Sequence, residues 1–203
     1  MPLARLPLPD ADVRLDPAWL PRVQADALLA AVRAEVPWSV HRIRMFGRMV
    51  DSPRLSAWVG DAHARYRYSG AVFEPLPWTP ALASLRARLR DALDLDFDSV
   101  LANLYRDGCD AMGWHRDDEP ELGPAPVIAS VSLGATRRFV LRHRPRARAG
   151  EAGDTRARHA VELPHGSLLV MAGATQARWQ HALPRTARPV GERINLTFRR
   201  IVR

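Results

Sequence analysis

From Val100 to Asp118 the chain reads Val-Leu-Ala-Asn-Leu-Tyr-Arg-Asp-Gly-Cys-Asp-Ala-Met-Gly-Trp-His-Arg-Asp-Asp, and the remaining segments are organised around this run. It begins as an apolar stretch of the kind that forms a buried strand, interrupted on alternate positions by Asn103 and Tyr105. A loop containing Asp107-Gly108 and Gly113 follows, and the run ends in His115-Arg116-Asp117. In an extended chain, residues two apart share a face. His115 and Asp117 can therefore offer an imidazole nitrogen and a carboxylate oxygen to one point. One more histidine would complete two His and one carboxylate, the facial triad that leaves positions open on Fe(II). Taken alone, a His-x-Asp triplet is commonly a pair of solvated side chains, so the other segments must decide.

Two helical segments come first. Asp16-Pro17 supplies an N-cap and a first-turn proline, Pro21 is placed to split off a short first turn, and Leu20, Val23, Ala27, Leu28 and Val32 then recur at helical spacing until Pro37. Thr79-Pro80 repeats that start, and Leu82, Leu85, Leu89 and Leu93 form an apolar stripe, with Arg86, Arg88 and Arg90 largely outside it. Between them, Val40 to Met45 is strand-like, Ser52-Pro53-Arg54 reads as a loop, and the alternation in Arg65–Ser69 puts Tyr66 and Tyr68 on one face. From Phe97 onward the pattern changes to short strands, expected near Ser99–Tyr105, Val127–Gly134, Arg138–His143, His159–Leu163, Ser167–Met171, Gln176–Ala182 and Arg193–Ile201. Arg144 to Arg158, rich in Arg, Gly and Ala, is expected to be an exposed loop. Two helices followed by many short strands predict a β-sandwich or jelly-roll with the helices on one outer face. A length of 203 residues suits one domain, and no apolar run reaches the length of a membrane span.

Charge and cysteine content bound the partners. The formal net charge is +8, and all 30 basic residues are arginine, which favours a polyanion, nucleic acid first. Cys109 is the single cysteine, so a reducing compartment inside the cell is expected: bacterial cytoplasm or nucleoid, or a eukaryotic nucleus.

The C-terminal strand alternates without a break: Ile194, Leu196 and Phe198 on one face, Arg193, Asn195, Thr197 and Arg199 on the other. A solvated polar face is the ordinary outcome, but two arginines on one face can also clamp carboxylates at two points each. For the third metal ligand, His181 in Trp-Gln-His-Ala-Leu is the choice and His165, in a Leu-Pro-His-Gly turn, its competitor; His143 and His159 flank the arginine loop and are expected to be solvated.

In this order, Asn103-x-Tyr105, His115-x-Asp117, His181 and Arg193-x-Asn195-x-x-x-Arg199 resemble the AlkB family of Fe(II)/2-oxoglutarate dioxygenases. The runs Tyr-Arg-Asp-Gly-Cys-Asp, Ile-Ala-Ser-Val-Ser-Leu-Gly-Ala, His-Gly-Ser-Leu and Asn-Leu-Thr-Phe-Arg are most similar to the branch that repairs alkylated bases in double-stranded DNA. The resemblance spans roughly Phe46 to the C-terminus. It implies an α+β, mainly β fold: a double-stranded β-helix (jelly-roll) core over residues 97–203, with N-terminal helices on one face and a DNA-gripping lid within 1–96. It also implies iron on His115, Asp117 and His181. Asn103, Tyr105 and Arg193 would hold the distal carboxylate of 2-oxoglutarate, and Asn195, Thr197 and Arg199 would lie towards its keto-acid end. Phe46, with Gly47 and Arg48, matches the finger that fills the gap left by a flipped base. Tyr66, Arg67 and Tyr68 match the damaged-base pocket, with Asp118 and Glu119 beside it. Arg142, Arg144, Arg146 and Arg148 would meet the DNA backbone, although in the loop after Arg144 only the charge carries over.

The implied chemistry uses O2 to couple decarboxylation of 2-oxoglutarate to succinate with hydroxylation of an N-methyl carbon, whose hemiaminal collapses to formaldehyde and the restored base. A base must leave the stack to be reached, and one that pairs badly leaves more cheaply. Asp118 would favour a cationic lesion such as 1-methyladenine or 3-methylcytosine. The expected partner is duplex DNA bound by a monomer, with single-stranded DNA or RNA as further substrates. An RNA demethylase, a protein hydroxylase and a non-catalytic, metal-containing jelly-roll that binds nucleic acid are the alternatives.

Overall fold

Alternating runs with turn residues between them become antiparallel strands, and these assemble into two facing sheets. The computed structural model describes residues 3–45, 48–68, 71–144 and 157–202, with backbone alone at 43–45, 48–49, 66–68 and 71–73. Its elements in chain order are β1 (Ala4–Arg5), β2 (Asp12–Asp16), α1 (Arg22–Glu35), β3 (Ser39–Met45), β4 (Arg48–Gly60), β5 (Tyr66–Tyr68), β6 (Ala71–Phe73), α2 (Pro80–Leu93), β7 (Ser99–Tyr105), β8 (Met112–His115), β9 (Ile128–Gly134), β10 (Arg137–His143), β11 (Arg158–Leu163), β12 (Ser167–Ala172), α3 (Thr175–Arg178), β13 (Trp179–Leu183) and β14 (Arg193–Arg199). The larger sheet runs β1-β2-β12-β9-β14-β7-β4-β3 and the smaller β11-β10-β13-β8; β5 and β6 form a separate hairpin. This is a jelly-roll, mainly β, as expected. No described helix is long and apolar enough to cross a membrane.

Both faces of the central strand β14 are buried, and they are buried against different things. Ile194, Leu196 and Phe198 join Leu82, Leu85 and Leu89 of α2 and Ala25 and Val32 of α1 in one apolar cluster. Full burial of such a side chain stabilises by roughly 1.5–3 kcal/mol. The opposite face looks across to the smaller sheet. Part of that inter-sheet space is filled by Val13, Ile128, Leu141, Leu163, Leu169 and Trp179; the rest is lined by polar side chains. Helix α2 starts where Thr79 Oγ1 accepts from Leu82 N at 3.4 Å, and ends at Asp94 in the left-handed region (φ 54°).

Four sequence expectations need correction. Helix α1 begins at Arg22, not at Pro17: Asp16 ends β2, and its carboxylate accepts from Ala18 N at 3.0 Å, closing a turn instead of capping the helix. Val23, expected in the apolar stripe, lies off the face that buries Ala25 and Val32 and is 80% exposed. Ser52-Pro53-Arg54 belongs to β4: Val40 pairs with Leu55 and Arg42 with Asp51, so three residues face one and the proline sits in a bulge that needs no donor from it. Gln176 to Arg178 is helical, and the expected strand begins only at Trp179.

Candidate metal centre and its polar pocket

β8 and β13 lie side by side, with His115 and His181 as direct Cα partners. The next pair is Met112 with Leu183, so Ala182 alone faces both Gly113 and Trp114. That bulge lets Met112 and His115, three residues apart, both line the cavity. Asp117 lies just past the strand, its N–H donating to Gln176 Oε1 at 3.0 Å. One ligand atom from each of His115, Asp117 and His181 falls within 4.8 Å of the others.

The donor set is prepared for a cation. His115 Nδ1–H donates to the Gly113 carbonyl at 2.9 Å, which leaves Nε2 to face the cluster. Burial, above all, pushes His181 down to about 3 and holds His115 below the usual imidazole range. Burial would raise the Asp117 pKa, but Arg199, followed by the two imidazoles, brings it to about 2. Arg199 NH2 donates to Asp117 Oδ1 at 2.9 Å, fixing the carboxylate and leaving Oδ2 towards the cluster. All three side chains are thus in the protonation state a metal requires, and two imidazoles with one carboxylate suit Fe(II).

Beyond the cluster, the cavity is lined from β7 by Leu101, Asn103 and Tyr105, from β9 by Ser130, and from β14 by Arg193, Asn195, Thr197 and Arg199; Phe139, Met171 and Leu183 supply apolar wall. Arg193 is 1% exposed. Its NH2 donates to Ser132 Oγ at 2.9 Å and to Asn195 Oδ1 at 2.7 Å, and its guanidinium lies 5.3 Å from the Tyr105 ring centroid. Its buried Nε has no hydrogen-bond partner among the described residues, and burial lowers its pKa to about 10. A cation held so far from water calls for an anion, and a ligand carboxylate in the cavity answers it. Asn195 Nδ2 in turn donates to Thr197 Oγ1 at 2.8 Å, so Arg193, Asn195 and Thr197 form one connected row on the polar face of β14.

Other expected site residues are placed as follows. Asp118 is exposed and pairs with Arg116 at 2.6 Å, and Glu119 is half-buried. Arg142 stands on the outer face of β10, and Arg144, just past its end, is exposed. Tyr66, Arg67 and Tyr68 form β5, and Arg48 begins β4. Phe46, Gly47, Arg146 and Arg148 lie outside the described residues. His165, the competing ligand, is elsewhere: its Nδ1 accepts from Gly134 N at 2.8 Å and its Nε2 is 3.1 Å from Asp26. His143, expected in solvent, is buried, its ring centroid 5.0 Å from that of Trp179, because its strand position faces inward; His159 is half-buried.

Three contributors escaped the sequence reading. Arg54, buried in β4, donates from Nε to Asn103 Oδ1 at 2.7 Å; the polar alternation Ser52, Arg54, Ser56 was its signal. Gln176 holds the Asp117 backbone, as above. Buried Arg137 donates to the carbonyls of Asp107 and Asp110 and to that of Pro184, tying the loop before β8 to the one after β13. The same two loops touch at Gly108, where a Cβ would lie 2.4 Å from the Thr186 carbonyl oxygen.

Residues 12–199 match the family model described as the 2OG-Fe(II) oxygenase superfamily. The chain is 42% identical over 192 residues to alpha-ketoglutarate-dependent dioxygenase alkB homolog 3 of Rattus norvegicus, covering 93% of this chain and 64% of that protein. It is 40% identical over 189 residues to the DNA oxidative demethylase ALKBH2 of Mus musculus, covering 89% and 77%. The chain thus spans less than two thirds of the rat relative's length. The solved structure of OsALKBH1 shares the fold, with a TM-score of 0.61 at 19% identity over 98% of this chain and all of that one.

Proposed function

This chain belongs to the 2OG-Fe(II) oxygenase superfamily and, within it, to the AlkB family, and on that premise we propose that it removes alkyl groups oxidatively from bases of DNA, with a preference for duplexes. The observation that carries this reading is the His115–Asp117–His181 cluster opening onto the same cavity as the buried Arg193. Iron on that cluster, with 2-oxoglutarate and O2, supplies the oxidising chemistry. The protein supplies position and charge.

Arg193, with Asn103 and Tyr105, holds the distal carboxylate of 2-oxoglutarate; Asn103 is oriented by Arg54. Asn195 and Thr197 line the path to the metal cluster. Arg199 keeps the Asp117 carboxylate ionised and aimed. Leu101, Met112, Phe139 and Leu183 limit water around the reacting atoms. On the substrate side, Tyr66 and Tyr68 stack on an extruded base and Asp118 pairs with a cationic lesion such as 1-methyladenine or 3-methylcytosine. Phe46 fills the vacated gap in the duplex, with Gly47 and Arg48 beside it.

Formaldehyde release from methylated oligonucleotides tests this directly. Release should require both iron and 2-oxoglutarate and be faster on duplex than on single strands. Phe46→Ala should slow duplex repair about ten-fold, equivalent to about 1.4 kcal/mol at the transition state, and slow single-strand repair much less. No release from any methylated DNA would sink the demethylase reading. An equal loss on both substrates would remove the duplex preference.

A further inference from the structure

The bulge that turns His115 inward also turns Trp114 outward. Trp114 is 38% exposed, so part of its indole is open to a ligand. One face of its indole is covered by the Arg142 guanidinium, 4.4 Å from the ring centroid. That guanidinium is fixed in turn: Arg142 pairs with Gln180 across β10 and β13, and its Nε donates to Gln180 Oε1 at 2.8 Å. With Nε so used, the two terminal nitrogens are the edge available to an anion. Arg158 faces Arg142 from β11 and adds a second positive charge on the same outer surface. Trp114 and Gln180 are the immediate chain neighbours of His115 and His181, so this assembly lies one sheet's thickness from the metal cluster.

An ordered arginine laid on a part-exposed tryptophan, with a second arginine beside it, offers an aromatic surface next to a phosphate-binding edge. We propose that Trp114, with Arg142 held by Gln180, is a stacking platform for a nucleotide of the damaged DNA strand adjacent to the base in the pocket. The base of that nucleotide lies on the indole and its phosphate meets Arg142. This rests on the DNA-demethylase reading of the pocket and adds a contact that needs an unpaired flanking base. It would let the protein hold single strands as well as duplexes. β8 is the end strand of the smaller sheet, so a DNA strand that reaches the pocket around this edge meets Trp114 on the outer face.

Binding of fluorescein-labelled, unmethylated oligothymidylate, read by anisotropy without turnover, tests the platform. Stacking of one base on an aromatic side chain contributes about 1–3 kcal/mol. Trp114→Ala should therefore weaken binding about ten-fold, while Trp114→Phe, which keeps a stacking surface, should retain most of the affinity. An oligomer of the same length made of abasic sugar-phosphate should bind wild type and Trp114→Ala alike. Equal oligothymidylate affinity of wild type and Trp114→Ala would overturn the platform. So would an equal loss on the abasic strand, which would leave Trp114 a support for Arg142 alone. Because no turnover is read, absence of formaldehyde release would count against the demethylase reading without touching this result.

Discussion

Arg193 shows how much a single buried charge can demand of its surroundings. Its NH2 has two neutral acceptors, Ser132 and Asn195, but its Nε has none among the described residues. A lysine would keep the charge and lose the planar fork that grips a carboxylate at two points. Arg193→Lys should raise the Michaelis constant for 2-oxoglutarate ten-fold or more, about 1.4 kcal/mol of lost binding. Affinity for unmethylated duplex DNA should stay within two-fold. A matching loss of DNA affinity would place this side chain outside the cosubstrate pocket. Arg193 and its row-mates could be singled out in the sequence because a strand repeats every two residues, so four polar side chains on one face stand out. Gln176 could not: its role is to accept from the Asp117 backbone across the fold, and local sequence carries no trace of such a pairing.

At the scale of elements, helix α2 is fastened by charge as well as by its leucine stripe. Asp61, just past β4, accepts from Arg86 through both oxygens, at 2.9 and 3.0 Å, and from Trp78 Nε1 at 2.8 Å; Arg86 also lies over the Trp78 ring. Burial acts to raise the Asp61 pKa, but hydrogen bonds from Arg86 and Trp78 outweigh it and lower it below the usual 3.8. A carboxylate lowered on folding stabilises fully above its unfolded value and loses that contribution as pH falls through its folded one. Asp61→Asn should cost about 1 kcal/mol at neutral pH, discounted for partial exposure. The melting-temperature gap from wild type should close as pH falls below 3.8. A gap independent of pH would mean that shape, not charge, holds the helix. The stripe of α2 and its Thr79-Pro80 start were legible because both are local signals. The start of α1 was misplaced for the complementary reason: Asp16-Pro17 has the right chemistry, but pairing of β2 with β12 claims Asp16 for the sheet. The Gly113–Trp114 bulge was likewise invisible, since a bulge is defined by the partner strand.

For the molecule as a whole, the net charge of +8 and the arginines around the end of β10 predict strongly salt-dependent DNA binding. Each phosphate contact contributes about 0.9 to the slope of log K against log salt on duplex DNA. Replacing Arg142, Arg144, Arg146 and Arg148 with glutamine should lower that slope by about 3 to 4 and weaken binding to every duplex alike. An unchanged slope would make these arginines solvated charges without a partner. The architecture also sets how the chain tolerates changes in length. Along β14, seven buried residues alternate between the helix side and the pocket. Losing one residue there would exchange the two sets, pushing guanidinium groups into the leucines of α2 and phenylalanine into the polar cavity. β8 is built differently, because two residues already share one partner position. Removing Gly113 would regularise the ladder, with Met112 and His115 still on the inner side. The strand bearing His115 should thus absorb a one-residue deletion, whereas the strand bearing Arg193, the proposed carboxylate clamp, should not.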